Sequence, residues 1–226
     1  TGCFGDARGG ELADRYRASI DDAIVAEPSE VVNTLNPVVD GNPRLTWEGP
    51  ATQRRVLMVA WTGFGGYRDS VGRPFGLGGH DLWVTTAGEV RDFCGAFMAY
   101  NPSADLTLRL EQRLGLPASG RGPSSRYFVE LWVNPADLFR PTPDPEITDT
   151  TAELDYPPLA PAEHRRWFQS WRDEAYTVAP GFPWTRLGYT YDWGSPTSVV
   201  GASEYVVRGD ATVFPATAYA TEDYCR

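Results

Sequence analysis

Tyr127-Phe-Val-Glu-Leu-Trp-Val133 is the stretch whose reading decides the fold. Apart from Glu130, every residue in it is aromatic, β-branched or leucine, a composition suited to the pleated surface of a strand. Arg55-Val-Leu-Met-Val-Ala-Trp61 reads the same way. Its apolar residues fall on both faces, which marks a strand covered on both sides at the centre of a sheet. Outward from these two, Asp81-Leu-Trp-Val-Thr85 and residues 185–193, 204–208 and 211–214 read as further strands, the last two joined at Gly209-Asp210.

Helical spacing fills the intervals. Leu12, Tyr16, Ile20 and Ala23 share a face over residues 11–24, and Pro28 closes that element. A short helix is expected over residues 29–35, with Ser29 as its cap and Asn36-Pro37 as its stop. Val90, Phe93, Cys94 and Phe97 align over residues 89–98, and Leu106, Leu110 and Leu114 over the next helix. His164, Trp167, Phe168, Trp171 and Ala175 form one stripe over residues 164–176. Helices come early and strands late, with mixed order between them. The expected fold is α+β: a single compact domain with a mixed or antiparallel sheet, several flanking helices and long Pro/Gly-rich loops. Residues 1–9 are small and polar and read as a tether, with residues 10–226 as the domain. A chain of 226 residues with 8 Trp, 11 Tyr and 10 Phe has ample apolar area for one core, which excludes disorder.

Charge narrows the function. All 20 basic residues are arginine and 30 residues are acidic, giving a net charge of −10. Without lysine there is no P-loop, no Schiff-base lysine and no lysine general base. So acidic a chain opposes nucleic acid, which basic patches recruit. Cys3, Cys94 and Cys225 are too far apart for a zinc knuckle or a redox pair, and only His80 and His164 could add ligands. Thr1-Gly2-Cys3 has the form that ends a bacterial lipoprotein signal, after which Cys3 would carry lipid; a chance match is the other reading. Cys94 and Cys225 then remain as a disulfide pair in an oxidising compartment, or as two buried thiols. No apolar run is long enough to span a membrane.

Three regions hold candidate chemistry. The glycine-rich loop carries Gly63-Phe-Gly-Gly66 and Gly76-Leu-Gly-Gly79, neither completing Gly-x-Gly-x-x-Gly because Arg68 and Asp81 take the sixth positions. A surface loop is its plain reading; a ligand there would meet Tyr67, Arg68, Arg73, His80 and Asp81. Residues 137–155 gather Asp137, Asp144, Glu146, Asp149, Glu153 and Asp155 against Arg140 alone, among several prolines. That stretch suits a partner-facing surface, and Asp144, Glu146 and Asp149 offer an alternative Ca²⁺ site without EF-hand spacing. In residues 185–193, strand alternation would put Arg186 and Asp192 on the face of Trp184, with Trp193 opposite.

Arg186 on one strand and Glu204 at the start of another resemble the arginine–glutamate layout of ADP-ribosyltransferases. The resemblance covers a short part of the chain and lacks the family's serine-threonine signature. It implies that Arg186 holds dinucleotide phosphates and Glu204 the ribose. Ordinary strand pairing of aromatic and charged residues explains the same pattern. Carboxylate pairs for glycoside hydrolysis depend on geometry and cannot be read from spacing.

The sequence therefore leads to a non-catalytic, extracytoplasmic domain, periplasmic or extracellular, lipid-anchored if Cys3 is acylated. It would be an accessory or binding subunit of a bacterial envelope assembly, meeting other protein subunits through residues 137–155, Trp184 and Trp193. No cofactor is expected. The competing reading is a secreted enzyme acting on a sugar or nucleotide, ADP-ribosyltransferase-like or glycoside hydrolase-like, with Arg186 and Glu204 as its catalytic pair.

Overall fold

The computed structural model describes residues 3–120 and 125–226, with side chains from residue 9 onward. The chain enters through helix α1 (Cys3–Ala23), then strands β1 (Trp47–Glu48) and β2 (Arg55–Thr62). A short helix α2 (Gly65–Arg68) and strand β3 (Phe75–Gly76) lead to β4 (Leu82–Thr86) and to helices α3 (Ala87–Tyr100) and α4 (Leu106–Arg113). Strands β5 (Tyr127–Val133) and β6 (Leu138–Phe139) precede helix α5 (Ala162–Tyr176). The chain closes with β7 (Tyr189–Tyr191), β8 (Val200–Val207), β9 (Thr212–Tyr219) and helix α6 (Thr221–Tyr224).

The fold is α+β, and its sheet is antiparallel in every pairing. Strand order is β3-β9-β5-β2-β4-β8-β6, with β1 beside β2 and β7 beside β8. Strand β2 is central, as its two apolar faces require. On one side Val56, Met58 and Ala60 pack with Val129, Leu131 and Val133 of β5 and with Tyr205 and Val207 of β8. Loop residues Val38, Leu45 and Leu77, with Tyr67 of α2, close that side. On the other side Val59, Phe128 and Ala202 meet Ala87, Val90 and Cys94 of α3 and Leu106 and Leu110 of α4. Further along this helical side, Trp167 and Trp171 of α5 stand against Trp83 of β4, with Phe182 and Trp184 completing the cluster. The rings meet mostly edge to face, the arrangement that ring quadrupoles favour.

Several local expectations are corrected by tertiary pairing. The helix expected over residues 29–35 is a single 3-10 turn, Pro28–Glu30. Beyond it the backbone bonds to the acidic stretch instead: Leu35 N–H donates to Thr150 O at 3.0 Å and Val38 N–H to Ile147 O at 2.7 Å. Residues 4–9, set apart from the sequence as a tether, lie within α1. The strand expected over residues 185–193 is confined to β7, preceded by an isolated Trp184–Thr190 bridge. Between them Arg186 adopts φ 60 and Gly188 φ 77, so the chain turns tightly where regular alternation was expected. An added Cβ on Gly188 would lie 2.8 Å from Arg140 Cδ and 2.8 Å from Leu35 Cδ1.

Cys94 and Cys225 form a disulfide between α3 and the C-terminus, both cysteines buried. The bond is consistent with an oxidising, extracytoplasmic compartment. No helix among the described residues is long and apolar enough to cross a membrane. Because the bond closes a loop of 131 residues in sequence separation, it restricts the unfolded chain strongly. The double variant Cys94→Ala/Cys225→Ala should lose roughly 2–5 kcal/mol. Guanidinium unfolding should show this as a lower midpoint, and equal midpoints would place the stabilisation elsewhere.

Candidate functional site

Glu204 and Glu130 occupy one row across the sheet. Glu130 pairs in register with Val59, Val59 with Thr85, and Thr85 with Glu204. Alternation turns all four toward the helical side, the face of Phe128 and Ala202. The two glutamates are three strand spacings apart, roughly 14 Å between Cα atoms. Their surroundings differ. Glu130 is ion-paired with Arg91 of α3 at 2.6 Å, which only partly counters the upward push of burial on its carboxyl. Glu204 has no such partner. Among the described residues neither its carboxyl nor the Thr85 hydroxyl makes a hydrogen bond to protein. Burial alone pushes the Glu204 carboxyl up to about 8.

What Glu204 faces is a cavity of about 130 Å³. It lies where the α3–α4 half of the helical layer meets the aromatic cluster of α5. Val59, Thr85, Val90, Phe128 and Thr190 form its buried part, while Trp61, Trp83, Leu114, Leu116 and Glu204 itself are half-buried. Thr190 is spoken for: its hydroxyl donates to Arg113 O at 2.7 Å and accepts from Ala202 N–H at 2.8 Å. The Trp61 indole N–H donates to Thr221 Oγ1 at 3.0 Å. Among the lining side chains, the Glu204 carboxyl, the Thr85 hydroxyl and the Trp83 indole N–H make no hydrogen bond to the protein, within largely apolar and aromatic walls. A cavity of on the order of 150 Å³ accepts a benzene-sized molecule. The site can take a small apolar group bearing one polar atom, and it presents that atom with a carboxyl neutral at pH 7.

Other residues singled out from the sequence are placed as follows. Arg186 does not pair with Glu204; its guanidinium donates to Ala23 O at 3.1 Å and Ile24 O at 2.8 Å, capping the end of α1, and lies over the Tyr176 ring. Trp184 and Trp193 are buried, the latter donating its indole N–H to Leu116 O at 2.9 Å. Neither presents a ring at the surface. Asp192, expected beside Arg186, is buried and held in a two-pronged ion pair by Arg109 at 2.9 and 2.7 Å.

The acidic stretch is folded around Arg140, which is buried. That guanidinium binds the Asp149 carboxylate, Thr151 O at 2.6 Å and Asp149 O at 2.9 Å. Asp144 turns back to accept from Glu146 N–H at 3.1 Å. Burial raises the Glu146 carboxyl, and the neighbouring Asp149 charge adds to the effect. Burial likewise raises Asp137 and Glu153. Asp144, Glu146 and Asp149 are half-buried, and Glu153 and Asp155 are exposed. No group of three or more His, Cys, Asp or Glu suited to a metal occurs among the described residues, and the Asp144–Glu146–Asp149 set does not form one.

The histidines differ in setting. His164 is buried against Thr142 O at 2.7 Å, and burial lowers its pKa; His80 is exposed. In the glycine-rich loop Tyr67 is buried in the core, and Asp81 accepts from Trp167 Nε1 at 2.6 Å and Gly209 N–H at 2.8 Å. Cys3 has its backbone in α1, and its side chain lies outside the described set. Family models, curated proteins and solved structures provide no match to this chain.

Sequence reasoning reached Glu204 but missed Thr85, Trp61, Trp83 and Phe128. Each sits in a strand recognised from the sequence, and only the β4–β8 and β2–β5 registers bring them to one cavity. The raised carboxyl has a thermodynamic signature. Folded Glu204 keeps its proton to about pH 8, whereas an unfolded glutamate releases it near about 4.3. Between these values the unfolded state binds fewer protons, so this group's contribution to stability falls as pH rises, by at most roughly 1.4 kcal/mol per unit. Cavity water tempers the slope, and above pH 8 it vanishes. Denaturant unfolding of wild type and Glu204→Gln should therefore diverge steadily from about pH 5 to about pH 8, with the variant gaining relative stability. Parallel curves would show that Glu204 is ionised in the folded state.

Proposed function

We propose that this protein is an extracytoplasmic ligand-binding domain whose working site is the Glu204 cavity. The single observation that supports this reading is the Glu204 carboxyl itself, half-buried and without a hydrogen-bond partner in the protein, at a cavity with aromatic walls. A carboxyl that opens onto a mostly apolar pocket and meets no donor from the protein is a group that a ligand can satisfy. A cavity of this kind, with few convergent polar atoms and a strongly perturbed carboxyl, is the ordinary form of a small-molecule site.

A second reading, chemistry in place of capture, is favoured by the protonation state. A carboxyl neutral at pH 7 can donate a proton to a leaving group, the role of a general acid. Only a leaving group of benzene size would enter the cavity, with the rest of a sugar or nucleotide substrate outside it and Glu204 acting without Arg186. An accessory role in an envelope assembly draws its support from the exposed acids Glu153 and Asp155, at the end of the stretch that Arg140 organises.

The ligand-binding reading is tested with benzene and n-butanol as probes, followed by methyl and aromatic NMR. Resonance shifts should centre on Val59, Val90 and Phe128. Filling the cavity with Val90→Phe, or blocking its rim with Leu116→Trp, should weaken binding at least about tenfold, a change of about 1.4 kcal/mol, while the fold is kept. Shifts that centre elsewhere, or probes that bind both filled variants as well as wild type, would overturn the assignment.

A further inference from the structure

The walls and the charge of the cavity together constrain what it can hold. A carboxylate that forms in it needs a cation, and the charged and titratable groups on the surrounding elements are committed elsewhere. On α3, Glu89 accepts from Ser203 N–H at 3.0 Å and Asn36 Nδ2 at 2.7 Å, and Arg91 holds Glu130. On α4, Arg113 donates to Val200 O at 2.8 Å and pairs with Asp192 at 3.5 Å, the residue that also holds Arg109. On α5, Tyr176 bonds to Trp184 O and senses the Glu204 charge without bonding to it. On β7, Tyr189 donates to Glu30 O and Tyr191 to Asp22, and Asp81, just before β4, is taken by Trp167 and Gly209. The cation must come from outside. Trp61, Trp83 and Phe128 line the cavity, aromatic rings attract positive charge, and Trp61 already carries the Arg126 guanidinium 5.1 Å from its ring centroid. A chain of net charge −10 also draws cations toward itself.

The geometry points to a protonated amine as the ligand: a small organic ammonium whose N–H groups donate to the Glu204 carboxylate and Thr85 Oγ1, with its carbon stem against Trp61 and Trp83. This deepens the ligand-binding reading above and rests on it. Quaternary ammonium ions fit less well, because they leave both open acceptors without a donor. A neutral carbonyl or alcohol is the competing chemistry, and it would be met by the protonated acid.

The two chemistries differ in proton balance. Burial keeps Glu204 neutral in the empty cavity up to about pH 8. An ammonium ion entering below that pH forms an ion pair only if Glu204 loses its proton to solvent, so one proton is released per ligand bound. Affinity must then rise about tenfold per pH unit up to about pH 8 and level off above it. A neutral acceptor shows no such rise, and its affinity falls once Glu204 ionises.

Isothermal titration with n-butylammonium and with n-butanol, in buffers of different ionisation enthalpy between about pH 6 and about pH 9, separates these cases. The expected result is n-butylammonium binding that tightens about tenfold per unit to about pH 8 with close to one proton released, and weaker n-butanol binding that does not tighten. Glu204→Gln should abolish the proton release and the pH dependence. Should that variant not fold, Thr85→Val should weaken n-butylammonium several-fold and leave n-butanol unchanged. If n-butanol binds as tightly as n-butylammonium and the latter shows no proton release, the ammonium assignment is wrong and the cavity remains a site for neutral ligands. If neither probe binds, both the assignment and the ligand-binding reading fail.

Discussion

The unbroken pairing of β5 with β2, from Val56–Val133 to Thr62–Tyr127, is the constraint on which the rest of the structure depends. Both strands are apolar on each face, so neither side of the sheet can be left to water. The chain meets this demand asymmetrically. Helices α3, α4 and α5 cover one side, where long aromatic side chains interdigitate. Loops cover the other, and this explains why segments rich in proline and glycine contribute Val38, Leu45 and Leu77 to the core. The disulfide locks the arrangement by tying the last turn of the chain to α3, directly over β2 and β5.

Burial on this scale makes every charge beneath the helices a problem, and the protein handles nearly all of them with arginine. Asp192 is held by Arg109 and Arg113, Glu111 by Arg126, and Glu130 by Arg91. A planar guanidinium satisfies a carboxylate with two parallel bonds and is less heavily hydrated than an ammonium, so it suits pairs at the edge of a core. Several of these arginines also lie over rings, as Arg109 and Arg113 do over Phe93. Against this pattern Glu204 stands apart: it receives no arginine, and its surroundings keep it protonated instead. The contrast with Glu130, in the same row of the same sheet, separates a carboxyl fixed by an ion pair from one that opens onto a cavity.

Legibility varied from residue to residue for physical reasons. The central position of β2 and the face shared by Val90 and Cys94 were readable because burial imposes a period on sequence. Glu204 was readable as a strand residue, yet its proposed partner was not, since Arg186 sits in a left-handed turn that alternation cannot anticipate. The acidic stretch looked like a partner-facing surface because composition counts charges without showing where they point. Arg140, one residue among many in that stretch, draws it inward through three polar contacts. Residues 29–35 had a cap and a stop, but the backbone at Leu35 and at Val38 just beyond found better partners at Thr150 and Ile147.

By itself the sequence determined the class of fold, the central strand, most helices, the absence of lysine chemistry and the pair of cysteines available to bond. Those features follow from local periodicity and composition, which act over a few residues. Strand register, the turn at Arg186, the inward folding around Arg140 and the cavity that joins Thr85 to Glu204 were decided only by the tertiary structure. Each depends on which distant backbone groups find one another, and shifting a strand by a single residue would turn Glu204 to the opposite face of the sheet.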